Sequence, residues 1–214
     1  AGRRGRPVSA EAFTADSADV SEDAVLGAGT KVWHLAQVRE HARLGRRCIV
    51  GRSAYIGTGV EMGDDCKVQN LALVYEPARL GRGVFIGPGV VLTNDTYPRA
   101  VNPDLTQKSG ADWEAVGVEI GDGAAIGARS VCVAPVRIGA WALVAAVSVV
   151  TCDVPDFGLV AGVPAKRIGW VGRTGRRLEE KDGVWVCPDT GETFIERDGA
   201  LRPAGPAQEE ENHG

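Results

Sequence analysis

From Val20 to Leu92 an aliphatic residue recurs at every sixth position without a gap, through Val20, Leu26, Val32, Val38, Leu44, Val50, Ile56, Met62, Val68, Val74, Leu80, Ile86 and Leu92. Four residues after each stands a small or β-branched one, as at Ala36, Ala42, Cys48, Ala54, Val60, Cys66 and Ala72. An amphipathic helix needs apolar residues three and four apart and a half-buried strand needs alternation, so a period of six is neither. It is the mark of a hexapeptide-repeat β-helix, with one large and one small inward position per hexad. Gly follows the aliphatic residue at Gly27, Gly45, Gly51, Gly57, Gly63, Gly81 and Gly87, where a tight corner is expected to use a positive φ. With three hexads per turn, residues eighteen apart stack about 4.8 Å from each other, the spacing of neighbouring strands.

The series stops at Leu92 and resumes at Ile120, Ile126, Cys132, Ile138, Val144 and Val150, with small or β-branched partners Ala124, Ser130, Val136, Ala142, Ser148 and Val154. The intervening segment, residues 93–119, is too long and too polar for a turn, and long loops in compact domains are usually functional. After Pro155 the period ends, and the tail reads as short strands joined by Asp-Gly and Thr-Gly turns. The expected organisation is a flexible start over 1–17, a β-helix over 18–170, a short β tail over 171–205 and a disordered end over 206–214.

Stacking turns position into proximity. Glu40, Thr58, Glu76 and Asn94 form one column, and His34, Arg52, Asn70 and Pro88 form another. Glu76 therefore lies beside Asn94, and Arg52 lies between His34 and Asn70. Asn94, Asp95, Tyr97 and Arg99 crowd the root of the insertion, and Gln69-Asn70 stands where Gly is the commonest choice. Imidazole has a pKa suited to proton transfer, which makes His34 a candidate base, although Trp33-His34 would equally serve as a packing pair.

The formal charge of −4 comes from scattered signs without a basic stripe, which argues against a nucleic-acid partner. No apolar run of about twenty residues exists and the first residues lack a signal-peptide core, so the expectation is a soluble cytoplasmic protein without a membrane partner. Five cysteines suggest no disulfide framework, because Cys48 and Cys66 stack in one inward column and Cys132 occupies an aliphatic position. Three-histidine zinc chemistry is excluded as well, since the solenoid holds only His34 and His41, on different faces. No metal is expected.

Taken together, VWHLAQVREHARLG, VQNLALVYE, VLTNDTYPRA and VAGVPAKRIGWVG resemble the left-handed β-helix acyltransferases that N-acetylate amino sugars carried on nucleoside diphosphates. The similarity is strongest to the 3-amino-sugar N-acetyltransferases of bacterial surface-polysaccharide pathways and covers about residues 18–171. It implies an all-β, left-handed parallel β-helix and a homotrimer with three sites between neighbouring subunits. Acetyl-CoA would lie along the solenoid, and the nucleotide sugar would enter near the insertion. The family's motif residues fall on Trp33, His34, Gln69, Asn70, Tyr75, Glu76, Thr93, Asn94, Pro98 and Arg99. For CoA the resemblance points to the backbone around Gly127, Ala128, Ala145 and Ala146, with Lys166 and Arg167 near the phosphates.

The expected roles are catalysis at Asn70, His34, Glu76 and Asp95, and substrate binding at Trp33, Gln69, Tyr75, Asn94, Tyr97 and Arg99. Relatives often carry cysteine knuckles in a C-terminal extension, whereas Thr174-Gly175 and the single Cys187 cannot make a four-ligand zinc site. Two alternatives remain at this stage: an acyltransferase for another small amine or hydroxyl, and a non-catalytic β-helix that only assembles.

Overall fold

The structure, a computed structural model, describes residues 11–204. The expectations for residues 1–10 and 206–214 lie outside the described residues. Residues 13–160 form a left-handed parallel β-helix of triangular section, followed by a small antiparallel sheet. Each aliphatic residue of the sixfold series ends a strand of two or three residues, and the chain visits three sheets in rotation. Sheet A contains Lys31–Val32, Ile49–Val50, Lys67–Val68, Phe85–Ile86, Ala125–Ile126 and Leu143–Val144. Sheet B contains Gln37–Val38, Tyr55–Ile56, Leu73–Val74, Val91–Leu92, Val131–Cys132 and Val149–Val150. Sheet C contains Val25–Leu26, Arg43–Leu44, Glu61–Met62, Arg79–Leu80, Val118–Ile120 and Val136–Ile138.

The register confirms the eighteen-residue ruler: Val32 pairs with Val50, Val50 with Val68 and Val74 with Leu92. Across the insertion Leu80 pairs with Ile120 and Leu92 with Cys132, so the coil resumes in register. Inward positions form one continuous core of aliphatic columns and small-residue columns. Burying a Val, Leu or Ile side chain contributes about 1.5–3 kcal/mol, repeated coil after coil. Thr30, Cys48 and Cys66 share one inward column, where the Thr30 hydroxyl donates to the Gly45 carbonyl (2.7 Å) and the two thiols donate to those of Gly63 and Gly81. All five cysteines are free, and burial pushes the Cys132 thiol up to about 12.

Three expectations are corrected. Sheet A begins at Phe13–Thr14, inside the stretch read as flexible, because a β-branched Thr14 fills the aliphatic slot opposite Val32. The glycines after the aliphatic residues do not supply the positive φ, which falls two residues later, at Leu35, Arg47, Ser53, Leu71 and Val147 among others. Those glycines are needed for close approach instead: a Cβ on Gly51 would sit 2.6 Å from the Asn70 nitrogen in the coil above. The last coil is shorter than the period, since Val154 pairs with Ile138 and takes the large inward position of sheet C rather than a small one.

Past the last coil, Gly158–Gly162 and Ala165–Trp170 close sheet A as an antiparallel hairpin. Glu179–Lys181, Val184–Val186, Thr193–Arg197 and Ala200–Pro203 form the four-stranded tail sheet, with Asp182-Gly183 and Asp198-Gly199 in the expected turns. Phe157, Trp170, Leu178, Cys187, Phe194 and Leu201 make its core against the end of the solenoid.

Candidate active site

Three corners connect the sheets, and the candidate residues divide between two of them. Residues 33–36, 51–54, 69–72, 87–90, 127–130 and 145–148 turn from sheet A into sheet B, which places His34, Asn70, Ala128 and Ala146 along one edge of the prism. Residues 39–42, 57–60 and 75–78 turn from sheet B into sheet C, and the insertion departs from that edge at Thr93. Asn70 and Glu76 thus flank sheet B at opposite edges, and a single chain does not gather the polar residues into one cleft.

On the A/B edge the side-chain amide of Asn70 has a structural task, as its Oδ1 accepts the Arg52 main-chain N–H at 2.8 Å. Its Nδ2 is left as a donor at an exposed corner. Further along, the same corner position is Pro88, then Ala128 and Ala146; neither Pro88 nor Ala146 has a side chain that can cap the main-chain N–H beneath it, at Asn70 and Ala128 respectively, and Pro88 itself carries no N–H. Gly127 passes close against Ala146, Gly87 lies against Ala128, and Ala145 is half-buried with its carbonyl accepting from the Ser130 hydroxyl at 3.0 Å. The result is a groove edge of small residues and bare main-chain donors.

His34 is exposed on the same edge, and its Nδ1 lies 2.9 Å from the Ser17 hydroxyl. Ser17 also accepts the Leu35 N–H through its carbonyl, so it sits squarely over this corner. The sequence signal for Ser17 is the stacking rule run backwards from Leu35, past the start of the sixfold series. Trp33 packs on Phe13 with ring centroids 5.5 Å apart. Gln69, half-buried, opens the corner that Asn70 continues.

On the B/C edge Glu76 turns its carboxylate back over Gly57, and Oε2 is buried with no hydrogen-bond partner. The Tyr75 ring meets that of Tyr55 at 5.1 Å, tilted by 48°, and burial, with Glu76 close by, raises the Tyr55 hydroxyl above its ordinary range. Below them a main-chain hydrogen bond, and then the pairing with Arg39 at 2.9 Å, hold the Glu40 carboxyl under the usual range. Thr93 Oγ1 accepts the Ala134 N–H, anchoring the insertion, and Asn94 accepts the Val116 N–H through its carbonyl where the loop returns. Asp95 Oδ1 caps the Tyr97 N–H at 2.7 Å, Tyr97 projects into solvent, and Arg99 is exposed at the mouth of the insertion.

Of the two cations expected near phosphates, Arg167 is committed within the chain. It lies 3.0 Å from Glu196 and 4.2 Å over the Trp170 ring, whose Nε1 donates to the same carboxylate. Lys166 remains exposed. In the tail two turns converge, so that a Cβ on Gly172 would stand 3.0 Å from Cys187 Sγ, and Thr174 Oγ1 stands 3.7 Å from it. One thiol between a glycine and a threonine does not fit the four-ligand zinc site that the resemblance suggests there. Among the described residues no group of three or more His, Cys, Asp or Glu side chains is gathered as metal ligands. No helix among them is long and apolar enough to cross a membrane.

The repeat and the site together define the class: the chain is a hexapeptide-repeat protein with the left-handed β-helix fold. Residues 59–94 match the family model "Bacterial transferase hexapeptide (six repeats)", and residues 42–70 and 117–152 match "Hexapeptide repeat of succinyl-transferase". Over 79 residues the chain is 43% identical to dTDP-3-amino-3,6-dideoxy-alpha-D-galactopyranose 3-N-acetyltransferase of Aneurinibacillus thermoaerophilus, covering 37% of this chain and 41% of that protein. It is 35% identical over 174 residues to the bifunctional protein GlmU of Alkalilimnicola ehrlichii, covering 77% and 36% respectively. The chain therefore spans about two-fifths, or less, of the length of these curated relatives. Among solved structures, a mutant of AntD, an N-acyltransferase from Bacillus cereus in complex with dTDP and coenzyme A, shares the fold. It superposes with a TM-score of 0.53 at 18% identity, over 76% of this chain and 83% of the other.

Proposed function

We propose that this protein is an acetyl-CoA-dependent N-acetyltransferase acting on the 3-amino group of a nucleotide-linked amino sugar, and that it works as a homotrimer. The observation that carries this reading is the A/B edge, where the free Nδ2 of Asn70 continues into the small-residue, uncapped corner at Ala128 and Ala146. An extended pantetheine arm fits against such an edge, its amides meeting main-chain groups, with Lys166 as the cation left for phosphate. The A. thermoaerophilus relative, by its name a 3-N-acetyltransferase for a dTDP-linked 3-amino sugar, supports the choice of acceptor.

A trimer supplies what one chain lacks. Sheet C presents Arg43, Glu61, Arg79, Glu119 and Arg137 outward in alternation, a solvated face, whereas sheet B presents Tyr55, Leu73, Val91, Val131 and Val149. Burying the apolar face against a second copy brings the A/B edge of one subunit toward the insertion of the next, so that His34 and Asn70 face Glu76 and Asp95 across the interface. A cytoplasmic setting, where acetyl-CoA and nucleotide sugars occur, accords with this reading, and neither metal nor nucleic acid has a part in it.

In the reaction the neutral amine attacks the thioester carbonyl carbon, and the carbonyl π electrons move to oxygen. Asn70 Nδ2 or a neighbouring main-chain N–H donates to that oxyanion. As the tetrahedral species collapses the carbon–sulfur bond breaks, and the departing thiolate receives the proton lost by nitrogen. His34, Glu76 or Asp95 orients the amine, so most of the rate enhancement comes from positioning. A thiol-release assay with acetyl-CoA and a panel of amino-sugar nucleotides tests the reading. Glu76→Ala is expected to lower turnover at least about tenfold with the trimer intact, in keeping with loss of a positioning group. Absence of thiol release with every acceptor, together with absence of CoA binding by calorimetry, overturns it in favour of a scaffold.

A further inference from the structure

The insertion folds on itself in a way that builds a second binding surface. Val101 and Gln107 bridge antiparallel, Asn102 N–H donates to Thr106 O and Lys108 N–H to Ala100 O, so a short hairpin returns Lys108 beside Arg99. Asp112 accepts both the Ser109 N–H and its hydroxyl through Oδ2, at 2.7 Å each, and the turn so formed delivers Trp113 to the same place. Asp95, Arg99, Gln107, Lys108 and Trp113 line the resulting cavity of about 390 Å3. That volume lies within the range of small-molecule sites, about 300–1,000 Å3.

Its chemistry is specific. Of the five tryptophans, Trp141, Trp170 and Trp185 pack in the tail and Trp33 lies on Phe13, which leaves Trp113 as the one turned toward a cavity, 38% exposed. Neither Arg99 nor Lys108 forms an ion pair among the described residues, whereas many arginines of the solenoid and tail do. Arg99 spends one N–H on the Pro98 carbonyl, and Asp95 is occupied by the Tyr97 amide. An aromatic face beside two unpaired cations matches a planar base joined to a pair of phosphates.

We infer that the insertion cavity holds the nucleoside diphosphate of the acceptor, with the base on Trp113 and the phosphates on Arg99 and Lys108. The inference rests on the acetyltransferase reading and adds residues to it. Coenzyme A carries a nucleoside diphosphate too, so the test separates the two sources. UDP, dTDP and CoA are titrated separately into the full-length protein by calorimetry, for wild type, Trp113→Ala, Trp113→Phe and Lys108→Met, with circular dichroism confirming that each variant is folded.

Trp113→Ala and Lys108→Met are each expected to weaken UDP or dTDP about tenfold and to raise the acceptor KM comparably, with CoA affinity and its KM unchanged. Trp113→Phe, which keeps a ring, should stay within about threefold of wild type. Nucleotide affinity within about twofold of wild type in both disrupting variants overturns the cavity and leaves the acetyltransferase reading standing. Loss of CoA binding instead overturns the assignment to the acceptor. A wild-type protein that acylates a free amino sugar and binds neither nucleotide overturns both the cavity and the nucleotide-linked acceptor.

Discussion

The C/A and A/B corners of the prism solve the same problem with one atom's difference. At the C/A corner Asp64, Asp122 and Asp156 cap the N–H groups of Arg46, Arg82 and Ala140 in the coil beneath, each at 2.8 Å. At the A/B corner Asn70 caps Arg52 in the same way and at the same distance. The backbone cannot tell these residues apart, since both kinds offer an acceptor over a corner glycine. What differs is the atom left over: Asp64 turns a second oxygen to the Arg46 guanidinium, whereas Asn70 is left with an unspent donor. A capping residue in a solenoid is thus not disqualified from chemistry by its structural task, and the surplus group decides which edge is inert.

The comparison breaks most visibly if the surplus donor is exchanged for an acceptor. Asn70→Asp keeps the cap and should keep the melting temperature, but it sets a carboxylate where the oxyanion forms; turnover is expected to fall about 100- to 1,000-fold, the scale of losing an oxyanion donor. Steady-state assay with acetyl-CoA beside a thermal melt checks it, and undiminished turnover would remove Asn70 from the site. A smaller effect is expected two coils down, at His34. Ser17→Ala frees the His34 ring, and turnover should drop about three- to tenfold with a changed pH profile, whereas Ser17→Thr, which retains the hydroxyl, should restore both.

The reciprocal change at the inert edge should do least. Asp64→Asn keeps its cap on Arg46 and loses only the guanidinium contact, so turnover should stay within about twofold of wild type. The Asp64 carboxyl is held below its usual range chiefly by the Arg46 side chain. Because the folded-state pKa is lowered, its contribution is fully present above the ordinary carboxylate pKa of about 3.9 and is lost as pH falls through the lower folded value. The melting difference between Asp64→Asn and wild type should accordingly be small at neutral pH and vanish in acid.

Much of this is legible in the amino-acid sequence, for physical reasons that also mark where legibility ends. A sixfold period admits one fold, so Val32 under Val50 and Val74 under Leu92 follow from counting. Counting also identifies the residue above Arg52, but not that its amide oxygen is consumed by the cap. Counting puts Asn70 and Glu76 in different columns, but that these columns stand at opposite edges of sheet B depends on which way the chain turns at each corner. Lys108 and Trp113 carry no period at all, and only the hairpin from Val101 to Gln107 brings them to Arg99. Nor does the sequence around Arg167 show that the tail strand carrying Glu196 lies against it and pairs with it.

The insertion leaves the solenoid and rejoins it with the register merely lengthened, 40 residues separating Arg82 from its capping Asp122 where 18 separate Arg46 from Asp64. Coils contact only their nearest neighbours, so an excursion that returns in register imposes nothing on the strands above or below. Its length and composition are therefore set almost independently of the scaffold. Exchanging this one segment for another of different length should leave the stacked wall, and the A/B edge with it, as they are.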